Sequence, residues 1–194
     1  MLVFEAGVNH LNMNNIRPIP TIHKGIKFRS RLEARWDVFF EAINFCCVYE
    51  PFMIENNNLS YTPDFYCNVG LIGSAEKPVL IEIKPKTPNK DYVDFLKKIH
   101  NPYLSDILIC VGEPDLFQPD GYLIQSKWEK GGKRHTVVEK GFNCIRCNTC
   151  GRFTVNNYDP EFNFNFLSCE RYHAIETGYN ETAKFIAKTH RFDL

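Results

Sequence analysis

The stretch Asp106-Ile107-Leu108-Ile109-Cys110-Val111-Gly112 constrains the fold of this chain more than any other. A near-continuous apolar run of this length suits a strand buried on both faces, as in sheets whose neighbours run parallel. Upstream, Pro78–Lys84 reads as a second strand, with Val79, Ile81 and Ile83 on one face and Leu80, Glu82 and Lys84 on the other. Between the two, Asp91–His100 is predicted to be helical. Nearer the N-terminus, Ser30 and Glu33 have capping-box spacing and open a helix expected to reach about Phe45. Leu32, Trp36, Phe39, Phe40 and Ile43 recur at helical spacing and form its buried stripe. Val48–Ile54 and Leu59–Val69, separated by Glu55-Asn56-Asn57-Asn58, read as a hairpin. The order helix, three strands, helix, strand predicts an α/β domain with a mixed sheet flanked by helices.

The remainder is less patterned. Residues 1–22 are Asn-rich and read as an N-terminal arm. Past Gly121, short strands are predicted at Tyr122–Gln125 and His135–Glu139, β-like pieces within Phe142–Ser168, and a closing helix at Glu181–Thr189. A length of 194 residues, 44% of them hydrophobic, suits one compact domain with a small appendage. The division expected is 1–22, 23–140 and 141–194. Acids and bases balance at 23 each, so global charge identifies no partner. Locally, Arg17, Lys24, Lys27, Arg29, Arg31 and Arg35 face one intervening acid, Glu33; Lys127, Lys130, Lys133 and Arg134 form a second basic stretch. Taken alone, either is a solvated surface. The N-terminus carries no secretory pattern and the longest apolar run, near Ile107–Val111, is too short to span a bilayer. The expectation is a soluble intracellular protein (cytoplasmic, nuclear or virus-associated), not secreted and not membrane-bound. Cys46, Cys47, Cys67 and Cys110 are expected as core residues rather than a disulfide framework.

Chemistry concentrates at Pro63-Asp64 and, eighteen residues on, Glu82-Ile83-Lys84. Glu82 and Lys84 leave the same face of a strand, and Asp64 lies where the preceding strand can bring it beside Glu82. Grouped carboxylates repel and normally need a cation between them, and hard oxygens favour magnesium or manganese. Alone the pattern is weak, because surface acids and lysines on an edge strand would explain it too. Glu33 has a complete structural role as a capping-box residue. Arg31 and Arg35, four apart, share a helix face and could clamp phosphates, or simply be solvated.

Three segments in this order, Phe28-Arg29-Ser30-Arg31-Leu32-Glu33-Ala34-Arg35-Trp36, Pro63-Asp64-Phe65 and Ile81-Glu82-Ile83-Lys84, resemble the PD-(D/E)xK nuclease superfamily. More narrowly they look like small "RSRLEARW…PDF…E-x-K" proteins of phages and large DNA viruses, distantly similar to endonuclease subunits of heteromeric transposases. The resemblance covers about residues 23–115. It implies a restriction-endonuclease-like core and metal-dependent hydrolysis of DNA. Asp64 and Glu82, with the Ile83 carbonyl, would be magnesium or manganese ligands. Lys84 would be the catalytic lysine and Glu33 a fourth acidic member. Arg29, Arg31, Arg35 and Lys86 are the expected contacts to the DNA backbone. The alternative is a non-catalytic DNA-binding or assembly module that recruits a transposase or packaging partner. A homodimer or larger nucleoprotein assembly is compatible with either, and no RNA-reading module is recognised.

Cys144, Cys147 and Cys150, followed by Gly151, Cys169 and His173, have zinc-knuckle spacing. Cys147, Cys150 and Cys169 would be ligands of a structural zinc in a ribbon-like appendage. The fourth ligand is Cys144 or His173, with Cys144 preferred. Reduced, partly buried cysteines are the competing explanation.

Overall fold

The computed structural model describes residues 17–56, 58–67, 78–101, 103–129, 131–146, 153–157 and 177–192. Two short strands, β1 (Thr21–His23) and β2 (Ile26–Phe28), lead into helix α1 (Arg31–Ala42). Four three-residue strands follow: β3 (Cys47–Tyr49), β4 (Ile54–Asn56), β5 (Leu59–Tyr61) and β6 (Phe65–Cys67). Then come β7 (Val79–Lys84), α2 (Lys90–Ile99), β8 (Asp106–Val111), β9 (Phe117–Trp128), β10 (Arg134–Arg146), β11 (Phe153–Asn157) and α3 (Thr177–Thr189). Seven strands make one mixed sheet in the order β11-β10-β9-β8-β7-β6-β3. The class is α/β, as the sequence leads one to expect.

The central pair β7 and β8 is parallel, in register from Val79↔Asp106 to Lys84↔Val111, and its neighbours are antiparallel. Alternation along these strands builds two cores. Val79, Ile81, Ile83, Leu108 and Cys110 pack with α1 and α3 on one face. Leu80, Ile107 and Ile109 pack with Val93, Leu96 and Ile99 of α2 on the other. A sheet covered on both sides explains why both strands read as almost unbroken apolar runs. In α1, Trp36, Phe39, Phe40 and Ile43 are buried as the periodicity requires, and the Trp36 indole N–H donates to the Gly112 carbonyl at 3.0 Å.

Several boundaries differ from expectation for identifiable reasons. The expected hairpin between 48–54 and 59–69 is two separate pairings: β3 with β6, and β4 with β5 in a sheet of their own. Glu50 has φ +42° and is followed by Pro51, which cannot donate to a ladder, so the strand breaks there. The arm boundary at residue 22 cuts β1. Lys24 and Gly25, at φ +47° and +79°, form a two-residue turn between β1 and β2. α1 stops at Ala42 rather than Phe45, with Asn44 at φ +53° just beyond the cap. The short strands expected at 122–125 and 135–139 belong to the long β9–β10 hairpin, whose register shifts between Lys140 and Phe142. The strand therefore continues through the proposed boundary at 140, and Ala183 and Ala187 of α3 lie in the same core as α1.

One correction concerns cysteine. Cys47 and Cys67, expected as plain core residues, face each other across β3 and β6 with Cα atoms 4.4 Å apart and form a disulfide. Cys110 is a buried free thiol, and Cys46 is a free thiol on the surface. Among the described residues, no helix is long and apolar enough to cross a membrane.

Gly121 of β9 has no room for a side chain: a Cβ would stand 2.6 Å from the Ile109 carbonyl oxygen and 2.7 Å from a Phe142 ring carbon. Gly121→Ala is therefore expected to cost about 2 kcal/mol of stability, read as a lowered urea midpoint at unchanged slope.

Candidate active site

β6 pairs with β7 only as far as Phe65↔Ile81. Beyond that point the β7 edge has no strand partner on this side among the described residues, and Asp64, at the bend before β6, takes its place. The Ile83 N–H donates to Asp64 Oδ2 at 2.7 Å. A strand residue's N–H and carbonyl leave by the same edge, so the Ile83 carbonyl faces this gap as well. The next residue turns the other way, and the Lys84 carbonyl accepts from the Gly112 N–H at 2.8 Å.

The second Asp64 oxygen contacts the Arg29 guanidinium. Arg29 is the hub of an acidic cluster: its Nε also meets Glu50 Oε1 at 2.7 Å and lies 3.9 Å from Glu33 Oε2. Burial opposes its charge, but Asp64 and the Tyr49 hydroxyl outweigh that and raise its pKa. Glu33 sits in the first turn of α1, where the Ser30 side chain accepts from the Glu33 N–H at 3.2 Å. Its carboxylate accepts from the Ser30 hydroxyl at 2.8 Å, from the Tyr49 hydroxyl at 2.6 Å and from the Arg29 N–H at 3.2 Å. The capping box thus closes on Arg29, one residue earlier than the simple pattern.

Glu82 is buried on the α2 face of β7. Tyr61 and Tyr92 donate their hydroxyls to its two oxygens at 2.8 and 2.7 Å, and Lys84 Nζ lies 2.5 Å from Oε1. The Lys84 ammonium also stands 4.6 Å from the centre of the Tyr92 ring. Burial first, then the charge of Glu82, pushes both tyrosine hydroxyls far up in pKa, so they remain donors.

Asp64 lies at the seam between these two arrangements. Its carboxyl is pushed well above the ordinary range by burial, then by Glu82 and Glu33, against the opposing pull of Lys84 and the Ile83 N–H. Glu33, Glu50, Asp64 and Glu82 are matched locally by two cations, Arg29 and Lys84. With all four acids ionised the cluster is two positive charges short of balance, the charge of one divalent ion; without such an ion, the Asp64 carboxyl holds its proton more tightly instead. Asp64 and Glu82 with the Ile83 carbonyl offer the hard oxygens such an ion prefers, so the residues fit magnesium or manganese. Glu33 is placed differently from Glu82: its helix packs on the opposite face of the sheet. Among the described residues, the group of three side chains whose ligand atoms all lie within 4.8 Å of one another is His23, Asp37 and Glu41, not these acids.

The expected phosphate contacts are distributed unevenly. Arg29, half-exposed, is already engaged by Glu50 and Asp64. Arg35 pairs with Glu113 at 2.6 Å. The Arg31 Nε is buried and has no hydrogen-bond partner among the described residues. Lys86 is exposed just past the end of β7. Cys147, Cys150, Cys169 and His173 lie outside the described residues. Cys144, the preferred fourth zinc ligand, lines an apolar cavity with Phe142, Leu116 and Val155. Burial, then Asp115, pushes its thiol up to about 12.

The sequence alone singles out none of Tyr49, Tyr61 and Tyr92. Tyr92 was within reach: it heads the buried stripe Tyr92, Leu96, Ile99 of a helix lying over the Glu82 face. No family model, no curated protein and no solved structure matches this chain.

Because the folded Asp64 carboxyl keeps its proton to higher pH than in the unfolded chain, the native state binds the extra proton between those two values. Stability therefore falls as pH rises through that window. In buffer free of divalent ions, Asp64→Asn is expected to have a higher urea midpoint than the parent at neutral pH. That advantage should fade below about pH 4, as the parent becomes protonated in both states. A variant less stable than the parent at neutral pH would show that the Arg29 contact outweighs burial.

Proposed function

We propose that this chain is a metal-dependent DNA endonuclease of the PD-(D/E)xK kind, with a restriction-endonuclease-like core. The observation that carries the reading is the meeting of Asp64, Glu82 and Lys84 at one end of the central sheet, in a cluster lacking the charge of a divalent ion. Asp64, Glu82 and the Ile83 carbonyl would hold magnesium or manganese. When bound, such an ion supplies an acidified water and neutralises charge on the scissile phosphate.

The chain's own groups do the rest. Tyr61 and Tyr92 hold Glu82 in one orientation, so its second-strand partner Asp64 meets a fixed acid. Lys84, half-exposed and beside Glu82, is placed to orient the attacking water or to stabilise charge on the departing oxygen. Arg29 occupies Asp64 in the absence of another cation; displaced from it, its half-exposed guanidinium is free to take a backbone phosphate. Glu33 acts through Arg29 and Tyr49 as a positioning residue. Lys86, exposed just past the end of β7, is a further candidate contact to the DNA backbone.

A second reading has its own support. Each oxygen of Asp64 and Glu82 already has a protein partner, as expected of a non-catalytic module that binds DNA or recruits a transposase or packaging partner. Supercoiled plasmid separates the two. The enzyme reading expects nicking or linearisation with magnesium or manganese, none with chelator, and a loss of about a hundredfold or more in Asp64→Asn and Lys84→Ala. Salt-sensitive DNA binding with no cleavage by the parent protein would leave the binding module.

A ribbon-like zinc site near the C-terminus remains part of the proposal, with Cys147, Cys150 and Cys169 as ligands. Because the Cys144 thiol is committed to the apolar core, His173 becomes the better fourth ligand. Cys144→Ser is expected to retain the parent's thiolate-bound zinc, measured by metal analysis after gel filtration, and His173→Ala to lose it.

A further inference from the structure

We propose that His23, Asp37 and Glu41 form a second metal site, for a divalent first-row transition ion with zinc foremost, tying the β1–β2 hairpin to α1. His23 points inward from β1 and its side chain is only 7% exposed, yet its Nε2 has no hydrogen-bond partner among the described residues. Such a buried polar atom is normally satisfied. The ring is held edge-on by His190, with centroids 4.7 Å apart, and by Phe192 at 5.9 Å. It cannot turn away to find another partner without giving up both contacts.

Two carboxylates face that nitrogen. Asp37 and Glu41 are one helical turn apart on α1, and their Oδ2 and Oε2 stand 3.9 and 3.6 Å from His23 Nε2. These separations are too long for hydrogen bonds. They suit donor atoms around a common ion: four ligands at zinc-bond length lie about 3.3 Å apart, within a few tenths of an ångström of the separations between His23 and each carboxylate. All three ligand atoms already lie within 4.8 Å of one another.

The donor set selects the ion. One imidazole nitrogen with two carboxylate oxygens suits zinc or a similar transition ion better than magnesium, which favours oxygen alone. Glu41 is exposed, so the site has an open side by which an ion can enter. The Lys24 ammonium contacts Glu41 at 2.7 Å from the solvent side and is itself largely exposed. It is a competing cation that a metal displaces.

The site shares no residue with the acidic cluster around Asp64, and its test does not depend on cleavage. Zinc binding by the full-length chain is measured in competition with a chromophoric chelator, together with cobalt substitution to report thiolate ligands. The parent is expected to take up one more equivalent than Asp37→Asn/Glu41→Gln, with no added thiolate-to-cobalt band. Lys24→Ala is expected to tighten that equivalent by about threefold to fivefold, the worth of one exposed ion pair. This gain cannot arise from misfolding, so it decides the matter if the double variant fails to fold. Equal uptake by parent and double variant, or unchanged affinity in Lys24→Ala, overturns the proposal.

Discussion

β7 outruns β6, and much of the site follows from that difference in length. A central strand that loses its neighbour partway along has a backbone donor to satisfy inside the protein. Here a side chain does what a strand would otherwise do, the Asp64 carboxylate accepting from Ile83. The substitution fixes Asp64 at the mouth of the sheet, beside Glu82 and on the level of Lys84. An acid in this place answers a backbone need and a chemical one together, so its burial is not by itself a sign of catalysis. What the backbone need does not explain is the company it keeps.

That company is arranged on two faces of one sheet. Glu82 belongs to the α2 side, where two phenols and a lysine surround it; Glu33 belongs to the α1 side, where Ser30, Tyr49 and the Arg29 backbone surround it. Arg29 joins Glu33 and Glu50 to Asp64. Deeply placed acids of like charge are costly unless cations and donors compensate them. The protein supplies donors generously and cations sparingly, which is the arrangement expected where a mobile cation is to be received.

The framework was largely legible in the chain because burial on two faces leaves a direct mark. Ile107 to Val111 could be placed as a covered strand, and the alternation of Val79 to Lys84 put Glu82 and Lys84 together before any coordinates. The stripe of α1 was equally plain. What escaped depended on local backbone conformation or on distant contacts. Nothing in the order of residues announces that Glu50 turns left-handed and splits a hairpin, or that Arg35 finds Glu113 across the fold. Cys47 and Cys67 looked apolar in context, and only register brings them opposite one another. The tyrosine hydroxyls were missed because an aromatic at a core-facing position is complete as packing; its polar tip gains meaning only when the neighbour is known.

The link between Cys47 and Cys67 fastens the outermost strand of the sheet, which otherwise holds on through a ladder of three residues. Tyr49, at the far end of that strand, is the residue that grips Glu33. In a thiol-reducing milieu the strand keeps its ladder and the contacts of Tyr49, and the wall behind Glu33 loses its covalent anchor. Under oxidising conditions the same border is covalently anchored, so the firmness of that wall depends on the chemistry of the compartment as well as on the fold.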